Sequence, residues 1–394
     1  MGRRPATHVF ANFSAGGVPA GITEGVFAAH IERETGFPLS DMVDGCSAAS
    51  AGTSIAVPLF AAHELNRNLP RFTAEETLDL FKENAQLWLE RPVPYLRQHL
   101  RQTLRSLKIP FTRSAAAEAL YLDEKLVEHT LDRYLGPLTL MDLRKTFMIS
   151  AHNVSASPRE EAVQMGKIID YDGRERYTPS PKTRIADLMR GSMAVPGHFK
   201  TKFIEGVGNV SDYGHIYDAH IAFLDFKDTL PRDARTAFIE FGGPRQHGHH
   251  SAEQLDQCSL LAMILNAHLV RGTSNHSYSV GMKMVQRMIR DNGEIHDLTP
   301  IIDVRKFATR PSENILDASA KSMKCAEDFA LTHIANNSEE MKRLCDFLAE
   351  NHIERTKPVH HTGIVAVKKE KPGNILSWLI PKPRPRALPA PVAA

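Results

Sequence analysis

The chain has 394 residues, of which 42% are hydrophobic, 24% charged and 7% aromatic, a balance that excludes collagen, coiled coil and wholesale disorder. Its 48 basic and 46 acidic residues nearly cancel, so no net field selects nucleic acid as a partner. Cys46, Cys258, Cys325 and Cys345 are scattered without a CxxC pair, which excludes a disulfide scaffold and a zinc ribbon and fits a reducing, cytoplasmic compartment.

At the N-terminus, Gly2-Arg3-Arg4-Pro5 leads into no apolar stretch of secretory length, and Ala6 stands where a myristoylation site needs Ser or Thr. His8–Phe13 then reads as a short buried strand, followed by the glycine-rich turn Ser14–Gly21. A helix follows, with Ile22, Val26, Ala29 and Ile31 on one face, and it stops at Gly36. A second strand is expected at Asp41–Asp44, turning at Gly45-Cys46-Ser47. Ala48–Leu65, rich in small residues, reads as a helix packed closely on a sheet and kinked by Pro58. Within it, Ile55–Ala62 is the longest apolar run and falls far short of a membrane span.

Residues 72–135 read as mostly helical, with a capping box at Thr73–Glu76 and an apolar face at Leu78, Phe81, Ala85 and Trp88. Strands are expected again at Thr146–Ala151 and Thr236–Phe241, and helices from about residue 251 to 350. Strands alternating with helices imply an α/β fold with a mainly parallel sheet. Beyond that, Lys357–Arg386 holds seven Lys/Arg against one acid, and five prolines follow Ile380. The tail, residues 356–394, is therefore expected to be a disordered or extended appendage. Its Asn374–Ile380 segment, with Trp378, suits a membrane interface, and equally a solubilising linker or a partner-binding peptide.

Gly45-Cys46-Ser47-Ala48-Ala49 carries the chemistry. A serine hydroxyl becomes a nucleophile when a sharp strand-to-helix turn presents it at a helix N-terminus, with small residues two positions either side. Close packing of small residues is the simpler alternative. Gly16 and Gly17, between the first strand and the first helix, suit backbone N–H donors for a tetrahedral oxyanion. Gly16-Gly17-Val-Pro-Ala-Gly21 is not the GxGxxG of a dinucleotide loop. The histidines assemble no metal set: His247-Gly-His249-His250 and His360-His361 read as solvated turns, and His63-Glu64 lacks a second His four residues on. No cofactor or metal is expected.

These blocks, in order, resemble the patatin-like phospholipases, serine acyl hydrolases with a Ser–Asp dyad. Phe13–Gly21 resembles the family's oxyanion loop and Asp41–Ala49 its strand and nucleophile elbow. Tyr121–Leu126 and Leu138–Arg144 resemble its mid-region, and Arg190–Phe199 the small-residue block ahead of the catalytic Asp. Ser211-Asp212-Tyr213-Gly214 resembles the Asp-Gly-Gly motif, and Phe238–Gly243 the strand beyond it.

The resemblance implies a three-layer α/β sandwich with a mainly parallel central sheet over residues 7–350. A helical insertion at about 66–135 and C-terminal helices at about 251–350 complete it. It further implies a lipid acyl hydrolase cleaving phospholipid or another acyl ester, with Ser47 and Asp212 as the dyad and Gly16 and Gly17 as the oxyanion hole. Ser54 and Asp218 are the rival nucleophile and base. A cytoplasmic protein with peripheral membrane contact through the tail is the matching expectation. Pro19-Ala20, Ala49 and Tyr213 depart from the family pattern. They leave open a catalytically weak module that binds lipid or a partner.

Overall fold

The computed structural model describes residues 7–89, 124–155, 162–195, 199–212, 219–243, 245–246, 268–289, 293–302 and 316–356. Tyr213-Gly214, Asp218, the His247–His250 loop and the tail from Lys357 lie outside them.

The apolar run His8–Phe13 forms β1, which is central and parallel to β2 (Gly45–Ala49) on one side and β8 (Thr236–Phe241) on the other. The parallel sheet extends through β3 (Thr146–Asn153) beyond β2 and β10 (Gly293–Asp297) beyond β8. Antiparallel β4 (Ala162–Ile169) and β5 (Glu175–Thr178) continue it past β3. The hairpin β6 (Lys202–Ile204) and β7 (Gly208–Ser211) joins at the end of β3. A two-stranded parallel pair, β9 (Arg245–Gln246) and β11 (Ile301–Ile302), stands apart.

Side-chain alternation along the strands splits the core into two layers. Val9, Ala11 and Phe13 face the side covered by α1 (Gly17–Thr35), α3 (Ala51–Phe60), α4 (Ala74–Leu89) and α9 (Ala320–Asn336). Phe10, Met148 and Phe238 face the other side, against α7 (Ala219–Asp228) and α8 (His268–Ile289). Three further helices, α5 (Glu124–Leu135), α6 (Ile185–Ser192) and α10 (Ser338–Thr356), and the single turn α2 (Leu39–Met42) complete the described set. The result is the expected three-layer α/β sandwich. Among the described residues no helix is long and apolar enough to cross a membrane.

Three local expectations are corrected. Asp41–Asp44 is no strand: Leu39–Met42 is a helical turn, and β2 begins only at Gly45. Five small residues make this strand because its neighbours leave no room. A Cβ on Gly45 would lie 2.7 Å from the Phe226 ring and 2.8 Å from that of Phe10. Pro19 does not delay the first helix to Ile22. It falls in the first turn of α1, where a missing N–H costs no helical bond. The region expected to be helical from 251 to 350 is interrupted by β10, whose polar Gly-Glu-Ile-His-Asp pairs along one edge of β8.

Candidate functional site

The chain leaves β2 at Ala49, and Ser50 turns it straight into α3 with φ 49° and ψ −125°. No other non-glycine residue among those described has a positive φ. Such a conformation costs about 1–3 kcal/mol and persists only where the surroundings over-determine it. Here they do. The Ser50 carbonyl accepts the Thr53 N–H at 3.0 Å and the Thr53 hydroxyl at 2.6 Å. The Ser50 N–H donates to Ser192 Oγ at 3.0 Å. Gly52, two residues on, lets α3 press against the end of β1: a Cβ there would sit 2.5 Å from the Phe13 carbonyl oxygen.

Asp212 reaches Ser50 through the sheet. At His152, one edge of β3 pairs with Ala162 of β4, so Ser211 of β7 must pair with the opposite edge. That edge belongs to β2 only as far as Ser150. β7 thus takes the place that β2 vacates at its turn, and the residue after β7 is Asp212. The Ser50 hydroxyl donates to Asp212 Oδ2. Both residues are buried, and the Asp212 N–H donates to the Ala194 carbonyl at 3.0 Å.

The structure places Ser47, the serine expected as nucleophile, away from this turn. Ser47 lies inside β2, in register with Asn12 of β1 and Met148 of β3. It shares the face of Gly45, away from α3, and its hydroxyl donates to Asn12 Oδ1 at 2.6 Å. Asn12 Nδ2 in turn donates to Glu240 Oε2 at 2.9 Å, so Ser47 belongs to a buried polar row across three strands. Ser54, the rival, sits within α3 with its hydroxyl 3.3 Å from Met193 Sδ. The sequence does hold a signal for Ser50: Ala48-Ala49-Ser50-Ala51-Gly52 has small residues at both flanking positions and ends on glycine.

Beside Ser50 is a cavity of about 40 Å³ that Gly17, Val18 and Ala51 also line. Its remaining wall is apolar, including Phe81, Trp88, Met193, Val195, Phe199 and Leu316. The first turns of both α1 and α3 lack a side-chain cap and any acidic residue. Their leading N–H groups carry the positive end of each helix dipole toward the serine. Gly17 adopts φ 68°, which glycine tolerates best. Gly16 precedes it outside the cavity lining; a Cβ there would meet Ala20 Cβ at 2.7 Å. Among the described residues no group of three or more His, Cys, Asp or Glu is placed to hold a metal ion.

No curated protein matches the sequence. Among solved structures, the chain is similar to VipD from Legionella pneumophila, with 13% identity and a TM-score of 0.31 over 84% of this chain and 67% of that one. It is also similar to the heterodimeric complex ExoU–SpcU of the type III secretion system of Pseudomonas aeruginosa. There the identity is 12% and the TM-score 0.25, over 86% of this chain and 61% of that one. The profile of the Patatin-like phospholipase family matches residues 13–245, more than half of the chain. That interval runs from the last residue of β1 to the first of β9 and contains both Ser50 and Asp212. The chain belongs to the patatin-like phospholipase family.

Proposed function

We propose that the protein is a lipid acyl hydrolase in which Ser50 is the nucleophile and Asp212 the general base. One observation carries this reading: a strained serine at a strand-to-helix turn donates its hydroxyl to a buried aspartate beside an apolar cavity. Asp212 accepts the Ser50 proton as Oγ attacks the carbonyl carbon of an ester. The oxygen that gains charge is stabilised by the N–H groups at the start of α1, around Gly16 and Gly17, and of α3. Collapse expels the alcohol, which takes the proton from Asp212 and leaves an acyl-serine. Asp212 then removes a proton from water, which attacks the acyl-serine and frees the carboxylic acid and Ser50. The apolar wall suits an acyl chain, and phospholipid is the substrate class the family suggests.

Hydrolysis of a short soluble ester and labelling by a fluorophosphonate probe test this together. Ser50→Ala and Asp212→Asn should lower hydrolysis by about a thousandfold or more, and Ser50→Ala should remove the label. Ser47→Ala should keep activity within a few-fold, because its hydroxyl serves Asn12. If Ser47→Ala abolishes the label and Ser50→Ala does not, the assignment is wrong. Wild-type protein that neither labels nor hydrolyses any ester would leave the lipid- or partner-binding module as the better reading.

A further inference from the structure

Four consecutive residues at the end of α6, Gly191-Ser192-Met193-Ala194, touch the elements that carry both members of the pair. The Ser192 side chain is fully buried. Its oxygen accepts the Ser50 N–H at 3.0 Å, and its hydroxyl donates to the Ser150 carbonyl of β3 at 2.7 Å. Two residues on, the Ala194 carbonyl accepts the Asp212 N–H at 3.0 Å. Gly191 lets the helix lie on β7: a Cβ there would come within 2.5 Å of Val210 Cγ2.

Nothing in the Ser50–Asp212 hydrogen bond itself fixes where the two backbones stand. Ser50 leaves the sheet at a strained turn, and Asp212 follows β7, which pairs with β3 at His152 and Asn153, accepts the Val154 N–H at 2.9 Å and pairs with β6. Each is also tied by its own N–H to the same short stretch, Ser192 to Ala194, at the C-terminal end of α6. Ser192 is suited to this because a hydroxyl accepts and donates at once. It satisfies a buried N–H that the turn removes from the β ladder, while Ser150 anchors its own orientation. Alanine at 192 would leave both the Ser50 N–H and the Ser150 carbonyl without this partner.

We propose that Ser192 is a positioning residue for acyl transfer, and that Gly191–Ala194 is the jig that sets the separation of Ser50 and Asp212. The proposal rests on the reading of those two residues as the catalytic pair. Ser192 does not line the cavity beside Ser50. It acts by holding the Ser50 backbone, so its loss should appear in turnover rather than in substrate binding. Displacements of an ångström at reacting groups are enough to cost about a hundredfold in rate.

The test compares wild type, Ser192→Ala, Ser192→Thr, Gly191→Ala and Gly191→Ala/Val210→Ala. Each is measured on a short soluble ester, by fluorophosphonate labelling with the labelled residue identified by mass spectrometry, and by thermal unfolding. Ser192→Ala should lower kcat about a hundredfold and slow labelling in proportion, with KM changed less than about threefold. Ser192→Thr, which keeps the hydroxyl, should recover most of kcat. Gly191→Ala improves helix propensity but drives a methyl into Val210, so kcat should fall about tenfold and return when Val210 is trimmed to Ala. Ser192→Ala with wild-type kcat and only a lower unfolding temperature would overturn the proposal. So would Gly191→Ala with full turnover, which keeps the idea testable if the Ser192 variants fail to fold. Wild-type protein that labels at a residue other than Ser50, or not at all, refutes instead the catalytic reading beneath it.

Discussion

Behind the loop that leads into α1, a second serine is served by a carboxyl group of unusual standing. Glu24 is fully buried in α1, and its Oε1 accepts the Ser14 hydroxyl at 3.4 Å. Its other oxygen has no partner among the described residues. Burial first, and then the charge of Glu240, hold the Glu24 pKa well above the ordinary glutamate value. The sign of the consequence follows from proton linkage. Well below the ordinary glutamate value of about 4.3 the group is protonated in the folded and unfolded chain alike, and its titration does not move stability. As pH rises further, the unfolded chain releases its proton while the folded one keeps it, so stability is progressively lost. Glu24→Gln removes that titration but keeps an acceptor for Ser14. Urea unfolding from about pH 5 to about pH 8 should show the variant gaining on wild type as pH increases. A difference that stays constant across that range would mean that Glu24 is ionised in the folded protein. The same residue scale separates Ser47 from Ser50. Hydroxyls three positions apart meet different partners because one lies within a ladder and the other just past its end.

At the scale of elements, what could be read in the sequence tracks where the pattern of burial is simple. β1, β3 and β8 are apolar runs at the centre of the sheet, and α4 buries Leu78, Phe81, Ala85 and Trp88 on the expected face. β2 was illegible because Gly, Cys, Ser and Ala are poor or neutral strand formers, and only the Phe10 and Phe226 rings explain why they are there. A strand ending at Asp44 would put Ser47 at the turn into the helix, where the structure has Ser50. A glycine loop before α1 and a serine close to Asp212 are legible in the sequence, whereas which serine meets Asp212 depends on where β2 ends. β4 to β7 and β10 escaped notice because they mix polar with apolar residues and pair by register with neighbours that no local pattern names. Gly45→Ala measures how tightly this strand is enclosed. Its methyl must displace two aromatic rings, so urea unfolding should show a loss of about 1–3 kcal/mol despite the better strand propensity of Ala. Unchanged stability would mean that α7 gives way freely.

At the scale of the whole molecule, contacts from α10 close the compact unit that ends at Arg355. Asn351 accepts the Thr7 N–H at 2.8 Å and donates to the Thr7 carbonyl at 2.7 Å. Arg355 donates to Asp44 and, at 2.6 Å, to the Met42 carbonyl. Asp44 in turn accepts the Val9 N–H at 2.8 Å. The hydrogen bond between Ser50 and Asp212 involves none of these groups. A chain ending at Gly363 keeps them all and should therefore hydrolyse a short soluble ester as the full chain does. It loses six of the seven basic residues between Lys357 and Arg386. Near an anionic surface each is worth about 1 kcal/mol, an attraction that salt screens. Co-sedimentation with phosphatidylserine vesicles at low salt should therefore weaken on truncation; equal binding would assign the tail to a role away from membranes.

The pairing of Thr7 with Asn351 has one more consequence. Thr7, just ahead of β1, meets α10, so the two ends of the described fold lie side by side. Joining residue 355 to residue 7 through a short Gly-Ser segment, and opening the chain at the exposed Asp172-Gly173 turn between β4 and β5, yields a circular permutant. The new order should still build the same sheet, with Ser50 and Asp212 brought together as before. A permutant that unfolds at a temperature close to the parent's and takes up the fluorophosphonate at Ser50 would bear this out.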